Sequence, residues 1–410
     1  MTSAPEPTVA PRAWAVVGIL FFVGGLCYLD RSLLAVMHHS VVQDVRMTDA
    51  QFGLLLSVYS WVYALLSPFC GFLADRFNRS SVIIGSLFLW SAVTALTAHA
   101  ATFEELLACR IGLAVTEACY LPAALALITD YHRGRTRSLA TGVHITGLML
   151  GSALSGTGGI LAEQYSWHMP YSVFGLAGMA LSGTVLLFLR DPPRAAVTVR
   201  TEPAGSFVQA LSSLFSYRSF TLVFLNFGLC AFAMGGLNGW MPAYLREAFH
   251  LSQGESGLSA TAYFNIAAVF GLLGGGVWAD RWSRTNPRGR ILVSCIMFGL
   301  SAPCVLLIAH SGTLAPALLG LALLGLFYST AGVNTMPILC QVTDARYRST
   351  AYGVLNLLAG LMGGAAMYAC GAMRDAQIDF RWYLYLAAAC LLLAVTLLCF
   401  VKPLPPSESA

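Results

Sequence analysis

Gly71-Phe-Leu-Ala-Asp75-Arg76-Phe-Asn-Arg79 and Gly276-Val-Trp-Ala-Asp280-Arg281-Trp-Ser-Arg284 are two copies of one pattern, half a chain length apart. Each follows the second long apolar stretch of its half of the chain. One such match is moderately specific. Two at equivalent places mark a duplicated architecture with its site between the repeats. Working outward, hydrophobic residues make up 57% of the 410 and charged residues only 10%, with a mean hydropathy of +0.70. A soluble domain carries about 25% charged residues. A hydrocarbon core needs roughly 20 apolar residues per helical crossing. Twelve such stretches occur, at 14–38, 51–74, 82–100, 103–128, 139–162, 170–190, 220–246, 257–279, 291–310, 313–340, 350–372 and 381–401. The expectation is an all-α membrane protein of twelve transmembrane helices in two six-helix bundles. No cleavable signal peptide is expected, because residues 1–11 are polar and the first apolar run is full-length.

The longest polar interval lies mid-chain. It divides residues 1–192, a first bundle, from residues 219–410, a second, with a linker over 193–218. Within the linker, Thr201 to Ser206 reads as loop and Phe207 to Phe215 as a short amphipathic helix on the membrane surface. Basic residues set the orientation. With the N-terminus placed inside, cytoplasmic segments hold seventeen Arg and Lys residues against four on the other side. Both termini are therefore expected in the cytoplasm, and the net charge of +4 reports topology instead of nucleic-acid binding. The cysteines, among them Cys70, Cys109, Cys119, Cys230 and Cys295, fall mostly inside apolar spans without ligand spacing, so neither metal nor cofactor is expected. The only lysine is Lys402, past the last span. That removes both a phosphate-binding GxxxxGK[ST] loop and a Schiff-base pigment.

Ionisable residues inside a membrane are costly and mark function. Four lie deep in the spans: Asp30 and Arg31 in the first, Arg110 and Glu117 in the fourth. The second half has none within its spans, so charge coupling is expected in the first half and neutral contacts in the second. Asp30, Arg31 and Arg110 should share one depth. Glu117, two helical turns from Arg110, should sit near the midplane, away from the arginines. With both acids protonated the four charges sum to +2, attractive to an anion. An arriving carboxylate would release Asp30 from its arginine, so anion and proton would favour one another. The competing explanation is two static ion pairs holding helices together. Among neutral polar residues, Tyr28, Tyr63 and His144 are candidates to line the first half of a site, and Asn238, Asn334 and Asn356 the second. Each has an interhelical hydrogen bond as its plainer explanation. His144 is also a candidate relay. Gly147, Gly151, Gly156, Gly158 and Gly159 suit close helix packing.

The duplicated loop resembles that of the major facilitator superfamily, over nearly the whole chain. The first copy departs from the common form, with Asn78 where glycine is usual. The resemblance implies that Asp75, Arg76, Arg79, Asp280 and Arg281 gate the cytoplasmic side. Tyr28-Leu29-Asp30-Arg31 and Arg110…Thr116-Glu117-Ala118 resemble the anion:cation symporter family, proton-coupled carriers of sugar acids and other organic anions. That match implies Asp30 and Glu117 as proton carriers and Arg31 as the carboxylate clamp, with Arg110 beside it. Asp75-Arg76-Phe77-Asn78-Arg79, Glu117-Ala118-Cys119-Tyr120 and Arg190-Asp191-Pro192-Pro193-Arg194 are similar to Spinster-like lipid transporters. The expectation is a secondary transporter, a monomer of a bacterial inner membrane, taking either a small organic anion or a lysolipid or sphingolipid with protons. A non-transporting nutrient sensor on the same scaffold is the alternative of another class.

Overall fold

The computed structural model describes residues 11–132, 136–191 and 207–403, and every regular element among them is helical. The first half comprises α1 (Pro11–Val36), the short α2 (His38–Val45), α3 (Asp49–Arg76), α4 (Arg79–Thr97), α5 (Phe103–Glu117), α6 (Tyr120–Tyr131), α7 (Arg137–Leu154), α8 (Gly156–Gln164) and α9 (His168–Phe188). After α10 (Phe207–Ser216), the second half comprises α11 (Arg218–Phe249), α12 (Gln253–Ser283), α13 (Gly289–His310), α14 (Leu314–Gly332), α15 (Thr335–Val342), α16 (Arg348–Asp375) and α17 (Arg381–Cys399). Counting α5–α6, α7–α8 and α14–α15 as single crossings, twelve helical segments are long and apolar enough to span a membrane. These match the twelve stretches read from sequence. The short helix expected in the linker is α10, while Thr201 to Ser206 lies outside the described residues.

Two of the breaks have a local cause. Pro122 and Pro337 carry no N–H for the carbonyl four residues earlier, so the hydrogen-bond ladder is interrupted around Ala118–Cys119 and Val333–Asn334. The first break falls directly after Glu117.

Among the described residues the halves meet closely from the end opposite the duplicated loops to mid-helix, where Gly360 of α16 still lies against Ala64 of α3. Gly371 of α16 lies against the Asp49 carbonyl, where a Cβ would have no room, and Gly156 of α8 lies against Leu258 of α12 in the same way. Ser57 on α3 donates to the Gly364 carbonyl on α16 at 2.6 Å. Small residues let these backbones approach, as membrane helices without a hydrophobic driving force require. At the end carrying the Asp280 loop the halves diverge and a cavity opens between them.

Candidate functional site

The cavity is about 1080 Å³. Its lining runs from Val36 and Met241 near the sealed end to Ser67, Leu125 and Thr350 toward the loop end. Among the described residues the second half contributes mostly apolar surface, including Met234, Leu237, Met241, Phe264 and Leu324, with Asn238, Asn265 and Asn356 among its polar groups and no charged side chain. The first half contributes Arg31 and Arg110 together with Tyr28, Tyr59 and Tyr63. The site is thus a cationic wall facing an apolar one.

Arg31 is set in an aromatic box. Its guanidinium carbon lies 4.6 Å from the Tyr28 ring centre, 5.1 Å from Tyr59 and 4.5 Å from Tyr63. Such contacts hold a desolvated guanidinium without neutralising it. Its side chain keeps 23% exposure, whereas the Glu117 side chain behind it has none. Arg31 Nη2 donates to Glu117 Oε2 at 3.4 Å. The Tyr59 hydroxyl donates to the same oxygen in a short hydrogen bond. Arg110 packs its guanidinium 4.8 Å from the other partner of that oxygen, the Tyr59 ring, and its Nε donates to the Leu55 carbonyl at 3.4 Å.

Asp30 behaves differently from expectation. Among the described residues no arginine nitrogen lies within 4.0 Å of its carboxylate, and its partner is the Thr94 hydroxyl on α4, which donates to Oδ2 at 3.3 Å. Glu117, expected apart from the arginines, is the acid that holds Arg31. Side chains lean toward the N-terminus of their helix, so Arg31 on α1 reaches back toward the midplane while Arg110 on α5 leans toward the sealed end. Neighbouring residues also project about 100° apart, turning Asp30 to α4 and Arg31 to the cavity. Asp30 Oδ1, Arg110 Nη1 and Glu117 Oε1 are buried without a hydrogen-bond partner among the described residues. Among the described residues Glu117 forms an ion pair, with Arg31, and Asp30 forms none, so the two acids are not a matched pair of struts.

Of the neutral candidates, Tyr28, Tyr63, Asn238 and Asn356 line the cavity. His144 is fully buried outside it, with Nδ1 against the Leu20 carbonyl at 3.1 Å. Asn334 is also buried outside it, donating to the Thr330 carbonyl at 3.0 Å near the α14–α15 break. Sequence reasoning missed Tyr59, which stands four residues before Tyr63 on one face of α3; that spacing was the available signal. It also missed a polar bridge between halves beside Arg31. Ser32 and Ser152 hydroxyls lie 3.2 Å apart, and Asn265 donates to Ser152 at 3.2 Å.

The loop residues pair within their own halves. Asp280 accepts from Arg290 at 2.5 Å, and Arg79 pairs with Asp130. Arg76 and Arg281 are exposed, and the Asp75 side chain lies outside the described residues. The charged contact across the halves is at the sealed end. Arg374 Nε donates to Asp49 Oδ2 at 3.0 Å, its two Nη atoms hold Glu247, and the Asp375 carboxylate accepts from the Asp49 and Ala50 backbone N–H groups. Asp49 also holds His38 at 2.6 Å.

The family model described as Major Facilitator Superfamily matches residues 20–368. The chain is 28% identical to an MFS-type efflux pump of Mycolicibacterium smegmatis, over 94% of this chain and 90% of that one. It is 28% identical to protein spinster homolog 1 of Xenopus tropicalis, over 88% and 72%. Against the probable L-galactonate transporter of Escherichia coli it is 25% identical, over 88% and 83%. A solved bacterial homologue of the human lysosomal transporter Spinster, inward-facing and occupied, superposes with a TM-score of 0.79 at 20% identity, covering 97% of this chain and all of that one. That likeness establishes the fold.

Proposed function

The chain belongs to the Major Facilitator Superfamily, and from that premise we propose that it carries an organic anion with protons by alternating access. The observation that carries the proposal is Arg31, a permanently charged group projecting into the cavity from between three tyrosine rings, with Glu117 behind it. An anion entering the cavity competes with Glu117 for Arg31. A buried carboxylate left without its counter-charge is costly, and a proton replaces the lost partner. Asp30 takes the second proton, with Arg110 adding to the attraction for the anion. Tyr28, Tyr63, Asn238 and Asn356 contact the substrate. The loop charges Asp75, Arg76, Arg79, Asp280 and Arg281 exchange partners when the open end closes. By the arginine distribution that end is cytoplasmic, with both termini. The protein acts as a monomer of a bacterial inner membrane, with residues 1–192 and 219–410 as its rocking halves and 193–218 as their linker.

A second reading is favoured by the wall opposite Arg31. Met234, Leu237, Met241, Phe264 and Leu324 offer an apolar face to a substrate tail, as an anionic lysolipid would need. The relatives include both a spinster homolog and a probable L-galactonate transporter. A thermal-shift screen of sugar acids, other carboxylates and lysolipids on purified protein separates the two. Stabilisation by short carboxylates supports the small anion; stabilisation that requires and grows with an acyl chain supports the lipid. A protein that binds but never accumulates its ligand in proteoliposomes is a sensor, contrary to both.

A further inference from the structure

Glu117 has no exposed side-chain surface, yet a proton-coupling acid must exchange protons with solvent. Among the described residues, three side chains touch it. Arg31 donates to Oε2 but keeps its proton at any accessible pH, so it passes nothing on. Cys27 lies against Glu117 but is buried and does not line the cavity. Tyr59 is the third. Its hydroxyl donates to Glu117 Oε2, while the residue itself lines the cavity. Of the three, only Tyr59 touches the acid, lines the cavity and carries a proton it can release.

We propose that Tyr59 is the proton relay between the cavity and Glu117, an inference that rests on Glu117 being the coupling acid named above. In the step, the phenol O–H bond breaks as its proton passes to Glu117 Oε2. The Tyr59 phenolate oxygen then accepts a proton from a hydronium ion in the cavity, which leaves as water. The phenol is neutral before and after, and one proton has moved from cavity to carboxylate. Arg31 and Arg110, at 5.1 and 4.8 Å from the Tyr59 ring centre, favour the moment of negative charge on its oxygen. The relay also ties coupling to substrate. An anion that draws Arg31 off Glu117 leaves the Tyr59 hydroxyl as the contact through which the acid is refilled.

The test is a pH jump on the full-length protein in lipid nanodiscs, followed by time-resolved infrared spectroscopy. The carbonyl stretch of protonated Glu117 is identified by its loss in Glu117→Gln. The proposal predicts that Tyr59→Phe slows the rise of this band by about tenfold or more, while its final height at low pH is retained. Tyr328→Phe removes a hydroxyl from the opposite wall of the cavity, which has no contact with Glu117, and should leave the rate unchanged. Fluorotyrosine at position 59 keeps the hydroxyl and the fold while making the phenol more acidic, and should raise the rate. An unchanged rate in both position-59 variants, or equal slowing by Tyr328→Phe, overturns the relay alone. A wild-type protein with no Glu117 band at any pH removes the coupling assignment itself, and the relay with it.

Discussion

Arg374 on α16 reaches across the interface between the halves to Asp49 at the start of α3, Nε to Oδ2 at 3.0 Å. The contact is largely buried, with 14% and 20% of the two side chains exposed, and the Trp240 ring lies 5.1 Å from the guanidinium. Arg374→Gln leaves Asp49 and Glu247 without the guanidinium, and Asp49→Asn removes the cross-half carboxylate from Arg374, which keeps Glu247. Breaking a pair this well covered costs about 1–3 kcal/mol. The expected result is a protein that opens at this end more often. Spin labels on Ser166 and Gly312, exposed positions of opposite halves at the sealed end, should show a new long-distance population. An unchanged distance distribution in both variants makes the contact incidental.

The two deep acids should be separable. Glu117→Gln removes the partner of Arg31, while Asp30→Asn replaces a group whose described partner is Thr94. Both should abolish accumulation driven by an inward proton gradient, and both should spare substrate exchange. Only Glu117→Gln should also alter substrate affinity, because only it frees the clamp. Uptake and counterflow in proteoliposomes measure the two properties side by side. Full accumulation by either variant excludes that acid from coupling.

For the loop charges, the Asp280–Arg290 pair at 2.5 Å stays within one half in this open conformation. Asp280→Asn and Asp75→Asn should therefore leave the open state intact and weaken the closed one. Cysteine accessibility at the open mouth, in a background free of native cysteines, should rise in both variants. Unchanged labelling would reduce the duplicated loop to a topology signal.

Packing offers a prediction independent of transport. A Cβ on Gly151 would meet the Gly25 carbonyl where α7 crosses α1, whereas one on Gly142 meets nothing within 4 Å. Overpacking of this kind costs about 1–3 kcal/mol. Gly151→Ala should lower the melting temperature of the purified protein, and Gly142→Ala should leave it unchanged. Equal melting of the two variants would contradict the described α1–α7 contact.

Twelve spans and their pairing into halves were legible because apolar length and a repeated loop are one-dimensional signals. The identity of the charged residues was legible for the same reason, since a charge in an apolar run needs no partner to be noticed. Their pairing was not. Residue order places Asp30 beside Arg31, but a helix turns neighbours apart, and a long arginine leans a turn back along its own axis. Arg31 therefore found Glu117, and Asp30 found α4. Tyr59 escaped notice because its role depends on a residue 58 positions away. The sealed-end contact escaped because Asp49, Glu247 and Arg374 stand at span ends, where charges are expected and carry no surprise.

The central claim is that Arg31 holds the substrate's anionic group. Lysine at this position keeps the charge but loses the planar fork that fits a carboxylate and packs between the rings of Tyr28, Tyr59 and Tyr63. Binding of the best carboxylate and the best lysolipid from the screen should be measured on wild type and Arg31→Lys. Carboxylate binding to wild type should weaken about tenfold to several-hundredfold in Arg31→Lys and vanish in Arg31→Ala. Lysolipid binding that grows with chain length, with no carboxylate binding, would contradict the small-anion assignment. Equal affinity of wild type and Arg31→Lys for every anion would contradict the clamp itself.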